Sequence, residues 1–294
     1  MKHIAALFII TIFLVSCEKK IDFKTDEQAI TLVVDGNIED GIAPHIVLTS
    51  SLNYFAAINP QIVANSFVHN AVVTISNGTT SATLKEYTVP AGVGYNLYYY
   101  SNDNTMSANN ILGEQGKKYD LKIVVDGKEY LASTNIPVLA KKCDSLWWQA
   151  VPNNPDTTLA TLVGKFIDPP SLGNYIRYFT KVNSEAFLPG EKSAFDDQVI
   201  NGKTYSIQID QGIDRSNPAD DNVKGFFRRG DTVTLKFCNI DKATYTFWNT
   251  WEFANQAIGN PFSTPNKVIG NVSNGGLGAF CGYSVDYKKI IISK

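Results

Sequence analysis

Gly116-Lys117-Lys118-Tyr119-Asp120-Leu121-Lys122-Ile123-Val124-Val125-Asp126-Gly127 is the stretch on which the fold turns. It reads as a β-strand closed by Asp126-Gly127, and the chain returns through residues 129–135 to make a hairpin. Upstream, Ala71-Val72-Val73-Thr74-Ile75-Ser76 is a second such strand. It runs into Asn77-Gly78, a strong two-residue hairpin signal, with residues 82–87 as the expected partner. Residues 30–38 are rich in β-branched side chains and read as a strand that turns at Asp35-Gly36. Residues 45–49 form the next strand, residues 50–69 a loop, and residues 95–100 an aromatic strand. Some seven short strands at this spacing, separated by turn residues, are the pattern of an immunoglobulin-like β-sandwich over residues 30–140. Pro137 closes it, and residues 138–145 read as a linker with Lys141 and Lys142 on its surface.

The remainder, residues 141–294, reads as a second β-rich domain. Strands are expected at 159–167, 174–182, 203–209 and 231–237. In the second of these, Tyr175, Arg177 and Phe179 share one face, and Ile176, Tyr178 and Thr180 share the other. Residues 183–199 read as a polar connection and residues 210–229 as a charged, exposed loop. One amphipathic helix stands out at 241–258. Tyr245, Phe247, Trp248, Trp251, Ala254 and Ile258 approximate a helical stripe, with Asp241 as N-cap and Gly259 as the stop. The last strand is expected at 283–292. The fold class is mainly β.

The N-terminus carries a different message. Lys2 precedes an apolar run over residues 4–15 that is too short to cross a bilayer of roughly 30 Å. With the small residues after it, residues 1–16 read as a secretory signal peptide. Leu14-Val15-Ser16-Cys17 resembles a bacterial lipobox, which implies cleavage before Cys17 and lipidation of its thiol. Burial of acyl chains, at about 0.8 kcal/mol per CH₂, makes a multiply acylated Cys17 a stable anchor. Residues 17–29 then form a polar tether.

Composition excludes more than it selects. The formal net charge is −2, so there is no electrostatic case for nucleic acid. With Cys17 lipidated, Cys143, Cys238 and Cys281 remain, enough for one disulfide, and Cys238–Cys281 is the pairing considered. No G-x-S-x-G occurs, and past Leu139 the chain holds no His, so neither a hydrolase centre nor a resident cofactor is expected.

Val34-Asp35-Gly36-Asn37-Ile38, the Tyr119-Asp120-Leu121 strand, Asn260-Pro261-Phe262-Ser263 and Gly275-Gly276-Leu277-Gly278-Ala279-Phe280 occur in that order. In this the chain resembles an uncharacterised family of Bacteroidota outer-membrane lipoproteins, often encoded beside TonB-dependent transporters. The resemblance covers the mature chain and supplies no catalytic residues. It implies a surface-exposed lipoprotein, the periplasmic face being the other option, and a non-enzymatic accessory role beside such a transporter. A glycan- or peptide-binding lipoprotein acting alone and a structural cell-envelope protein are the alternatives.

Three sets of residues are candidate sites. Asn260, Pro261 and Phe262 with Gly275, Gly276, Leu277, Gly278 and Phe280 read as a partner- or ligand-facing segment, or as a tight turn feeding the last strand. Trp147 and Trp148 could form an aromatic platform for sugar rings, or simply pack. Asp214, Asp220 and Asp221 could offer oxygen ligands to Ca²⁺, against competition from neighbouring arginines and lysines.

Overall fold

The computed structural model describes residues 30–52, 58–91, 94–105, 110–217, 223–258 and 266–294. The elements run β1 (Leu32–Glu39), β2 (His45–Ser50), α1 (Pro60–Ser66), β3 (Val72–Ser76), β4 (Ser81–Thr83), β5 (Lys85–Pro90), β6 (Asn96–Ser101), β7 (Lys117–Val125) and β8 (Lys128–Ile136). Then come β9 (Lys142–Ala150), β10 (Leu159–Ile167), β11 (Tyr175–Val182), β12 (Leu188–Phe195), β13 (Thr204–Ile209), β14 (Phe227–Arg228), β15 (Thr232–Ile240), α2 (Lys242–Gln256) and β16 (Leu277–Ile291). The protein is mainly β, as its turn spacing predicts.

One long sheet organises the molecule, in the order β12-β11-β15-β16-β1-β2-β6-β5. Its β1-β2-β6-β5 half faces a small sheet ordered β4-β3-β7-β8, and these two orders are those of an immunoglobulin-like sandwich. Val34, Ile38, Ile46, Leu48, Ile75, Leu121 and Ile123 fill the space between them. Each such side chain contributes about 1.5–3 kcal/mol when fully buried. Near the start of β7, fully buried Tyr119 donates its hydroxyl to the Leu112 carbonyl at 3.0 Å and accepts from the Glu114 amide at 2.7 Å. This is the tyrosine corner of such sandwiches, which pins the chain entering the strand to the loop before it.

The Asp126-Gly127 turn forms as expected, both residues having positive φ (50° and 72°). Asn77-Gly78 also turns, and the Asn77 carboxamide accepts from the Thr79 and Thr80 amides. Its return strand divides, however. β4 stays beside β3, whereas β5 crosses to the long sheet, with Leu84 buried at the switch. The turn expected at Asp35-Gly36 is absent, and β1 runs straight through it. A Cβ on Gly36 would lie 3.0 Å from Ile46 and 3.1 Å from Phe280, so this glycine serves close packing. Within the expected 50–69 loop lies α1, capped by the Asn59 side chain on the Ile62 amide at 3.0 Å and opened by Pro60.

The second half repeats the sandwich principle. β10 pairs with β9, β13 and the short β14, and this sheet packs on the same face of the long sheet as the first small sheet does. Leu162, Phe166, Tyr178, Phe227, Leu235 and Phe237 form its core. Three expectations change here. The linker ends at β9, and Lys141, expected on the surface, is fully buried beside Asp168. Residues 183–199 contain the edge strand β12, and the exposed loop 210–229 contains fully buried Phe227.

The expected boundary near residue 140 is crossed by β16. This strand begins at Leu277, well before residue 283, pairs with β1 in parallel and with β15 antiparallel, and so joins both sandwiches. Phe280 points into the first core, whereas Ala279, Cys281 and Tyr283 face the opposite side, where α2 lies. Asp241 caps α2, its carboxylate accepting from the Thr244 amide at 2.8 Å and from the Asn135 amide of β8 at 2.8 Å. Phe247, Trp248 and Trp251 cover the sheet as expected, but Ile258 is exposed, and Gly259 lies outside the described residues. Cys143, Cys238 and Cys281 are free, buried thiols, so the Cys238–Cys281 bridge is not formed. Across the β15–β16 ladder Cys238 stands opposite Val285.

Candidate functional site

On the face of the long sheet that carries α2, a cleft of about 430 Å³ opens between β1 and the helix. Strand alternation places Asp35, Asn37 and Glu39 of β1 on this face, because Val34 and Ile38 occupy the other. Trp248 and Trp251 come from α2, Arg177 and Phe179 from β11, Lys236 from β15, Tyr283 from β16 and Arg215 from the loop after β13.

Arg177 is the centre of this site and only 3 % exposed. Its guanidinium carbon lies 3.3 Å from the centre of the Trp248 ring and 4.6 Å from that of Phe179. Nε donates to Ser193 Oγ at 3.1 Å and Nη1 to the Tyr283 hydroxyl at 3.3 Å, while Trp248 Nε1 donates to the same hydroxyl at 2.9 Å. Behind Ser193 sits buried Glu252, which accepts from the Ser193 amide at 3.0 Å and from its hydroxyl at 2.5 Å. The cation is therefore positioned by a stack in front and a serine–carboxylate relay behind, without direct carboxylate contact among the described residues. Arg215 repeats the motif, its guanidinium carbon 5.0 Å from the Trp251 ring and its Nη2 donating to the Gly190 carbonyl at 3.3 Å.

The other charges differ. Glu39 is consumed by Lys236 and by the Tyr287 hydroxyl, which donates to it at 2.6 Å. Asp35 is accessible on the floor, and its carboxylate accepts no hydrogen bond among the described residues. Desolvation by the surrounding walls pushes its carboxyl above the ordinary range, with His45 and Arg177 pulling it back. Burial likewise holds the Tyr283 hydroxyl well above its ordinary range. Guanidinium groups stacked on aromatic rings offer their own N–H edges to a ligand, and the covered rings are no bare stacking surface.

A family model described as Domain of unknown function (DUF4249) matches residues 18–289. The chain belongs to this family. A search of the curated proteins found no match. The resemblance to an uncharacterised family is thereby confirmed.

In this DUF4249 chain none of the described residues singled out from sequence as candidate sites lines that cleft. Trp147 and Trp148 are successive residues of β9 and so point to opposite faces. Trp147 is 38 % exposed, while Trp148 packs on the second core with Arg229 5.0 Å from its ring, so the two share no platform. Gly275 (φ 74°) and Gly276 make the turn into β16, and Leu277, half exposed, begins the strand. At Gly278 (φ 85°) a Cβ would fall 2.0 Å from the Val34 carbonyl, and Phe280 is fully buried. Asn260, Pro261 and Phe262 lie outside the described residues, as do Cys17, Asp220 and Asp221. Asp214 accepts from the Ser216 amide at 2.9 Å in a local turn. No group of three metal-ligating side chains occurs among the described residues. On the open face, His45, Tyr99 and Tyr87 stack in series at 4.5 and 5.5 Å, covering one another's faces and presenting edges.

The sequence placed Arg177 and Phe179 on one strand face and Trp248 and Trp251 on one helix face. It contained nothing to say that these faces meet over Asp35.

Proposed function

We propose that this DUF4249 chain is a lipid-anchored, non-enzymatic protein of the outer membrane, displayed at the cell surface, that captures ligand for a TonB-dependent transporter. The observation that carries the location is the Leu14-Val15-Ser16-Cys17 lipobox behind a short apolar leader, and the family match begins at the next residue, Glu18. Among the described residues no helix is long and apolar enough to cross a membrane, so the lipid is the attachment this reading requires. The capture role is supported by the cleft, in which Arg177, Arg215 and Asp35 have no ion-pair partner among the described residues. The transporter as partner comes from the resemblance described above.

The test is metabolic labelling with an alkyne fatty acid, followed by gentle extraction of the outer membrane with a tag after Lys294 and mass spectrometry of what copurifies. Label on the wild type and none on Cys17→Ala is the expected result, with a stoichiometric TonB-dependent transporter in the extract. Absence of label removes the anchor. A labelled protein that repeatedly emerges alone favours a module that binds its ligand unaided.

A further inference from the structure

Apart from the paired Lys236 and Glu39, the charges that line the cleft face it without meeting. Arg177 is more than nine-tenths buried, yet only Nε and Nη1 have acceptors among the described residues, and a guanidinium carries five N–H donors. Among the described residues Arg215 bonds the Gly190 and Glu191 carbonyls, at 3.3 and 3.5 Å. Neither has a carboxylate within ion-pair distance among the described residues, although Asp35 lines the same cleft and itself lacks an ion-pair partner. A folded chain closes such a gap unless it is held open. Here the Trp248 stack, the Ser193 bond and the Tyr283 bond hold Arg177 back, while β1, paired on both sides, fixes Asp35.

Building on the capture role proposed above, we infer that the cleft binds a zwitterion of the amino-acid or short-peptide class. The ligand carboxylate lies between Arg177 and Arg215, and its ammonium group lies against Asp35. The chemistry fits each part. Planar guanidinium groups stacked on indole keep their N–H edges free for a carboxylate, which accepts two parallel bonds. An accessible carboxylate beside them would repel a simple anion, but it complements a ligand that brings its own cation. The cleft of about 430 Å³ lies within the size range of small-ligand pockets, roughly 300–1,000 Å³. Trp251, Phe179 and Phe187 supply apolar wall for ligand side chains.

The experiment is isothermal titration of the detergent-purified, lipid-anchored protein with a panel of tripeptides having apolar, aromatic and charged central residues. Each is used free, C-terminally amidated and N-terminally acetylated, with cello- and malto-oligosaccharides alongside. At least one free tripeptide binds, amidation weakens it tenfold or more, and acetylation weakens it by a similar factor. Because Arg177 is buried, the variants are Arg215→Gln and Asp35→Asn, with circular dichroism to verify the fold. Arg215→Gln weakens the free peptide tenfold but leaves the amidated one unchanged. Asp35→Asn does the same for the free and acetylated pair. Equal binding of free and capped peptides overturns the inference, as does failure of the whole panel or selective binding of an oligosaccharide. Copurification with a transporter is unaffected by any of these results, so the accessory role and the ligand class stand or fall separately.

Discussion

Lys141 Nζ lies 2.6 Å from Asp168 Oδ1, with both side chains sealed from solvent. The contact is off the axis of a hydrogen bond, and neither atom has another hydrogen-bond partner among the described residues. Tyr205 lies 5.0 Å from the ammonium, and the Gly202 amide donates to Asp168 Oδ2 at 3.0 Å. The pair fixes the segment between the two sandwiches against the end of β10. Removing one partner leaves a buried charge uncompensated, so Lys141→Met should cost about 3–5 kcal/mol, whereas replacing both partners, as in Lys141→Met with Asp168→Leu, should recover most of that loss. Urea unfolding of the single and double variants measures it. A double variant no more stable than the single one would show that the pair contributes more than charge compensation.

Gly278 and Gly275 both have positive φ, 85° and 74°, but only Gly278 is crowded. Its absent Cβ makes room for the Val34 carbonyl in the parallel β1–β16 ladder, whereas nothing lies within 4 Å of the equivalent point at Gly275. Gly275→Ala should therefore cost only the left-handed backbone penalty, about 1–2 kcal/mol. Gly278→Ala should cost distinctly more, because the ladder joining the halves must also shift. Thermal unfolding of the two variants side by side decides this, and equal losses would place the constraint in the turn alone.

What the sequence disclosed divides by range. Asn77-Gly78, Asp126-Gly127 and the Asp241-capped helix are local signals, each complete within a few residues, and each element formed. The β1–β16 ladder joins opposite ends of the described chain, and no residue in either strand announces a partner that distant. β12 was hidden because it is an edge strand with polar Lys192 and Ser193, and Ser193 is buried only because Glu252 of α2 reaches it. Lys141 looked like surface for the same reason, since its counter-charge belongs to the end of another strand. The cleft draws on β1, β11, β12, β15, β16, α2 and two loops, so a motif could not reveal it. Arg177 was visible as a charged residue on a strand face, but its burial and its indole stack are products of tertiary packing.

Tyr119 tests the sandwich in the first half. Its hydroxyl makes two backbone hydrogen bonds, and the ring is fully buried. Tyr119→Phe preserves the ring and strands the Leu112 carbonyl and Glu114 amide, for an expected loss of about 1–3 kcal/mol. Amide exchange should accelerate first at Glu114 and in the loop before β7. Uniform acceleration across β7 and β8 instead would show that the corner sustains the whole small sheet.

The buried thiols give the protein an alkaline limit. Burial pushes Cys143 up to about 11 and Cys238 and Cys281 up to about 12. An unfolded thiol titrates at about 8.5. Between these values the unfolded chain has released protons that the native chain still holds, so unfolding is promoted as pH rises. The stability linked to these thiols is present in full below about pH 8.5 and is lost progressively toward pH 11–12. Each thiol contributes a slope of up to about 1.4 kcal/mol per pH unit in that window. Denaturant midpoints at pH 7, 9 and 10 should fall in order, and Cys238→Ala should make the fall shallower. The native protein should also resist iodoacetamide at pH 8 until denaturant is added, because the thiolate is the reactive form. Rapid labelling of Cys238 or Cys281 in the folded state would mean that the face beneath α2 opens to solvent.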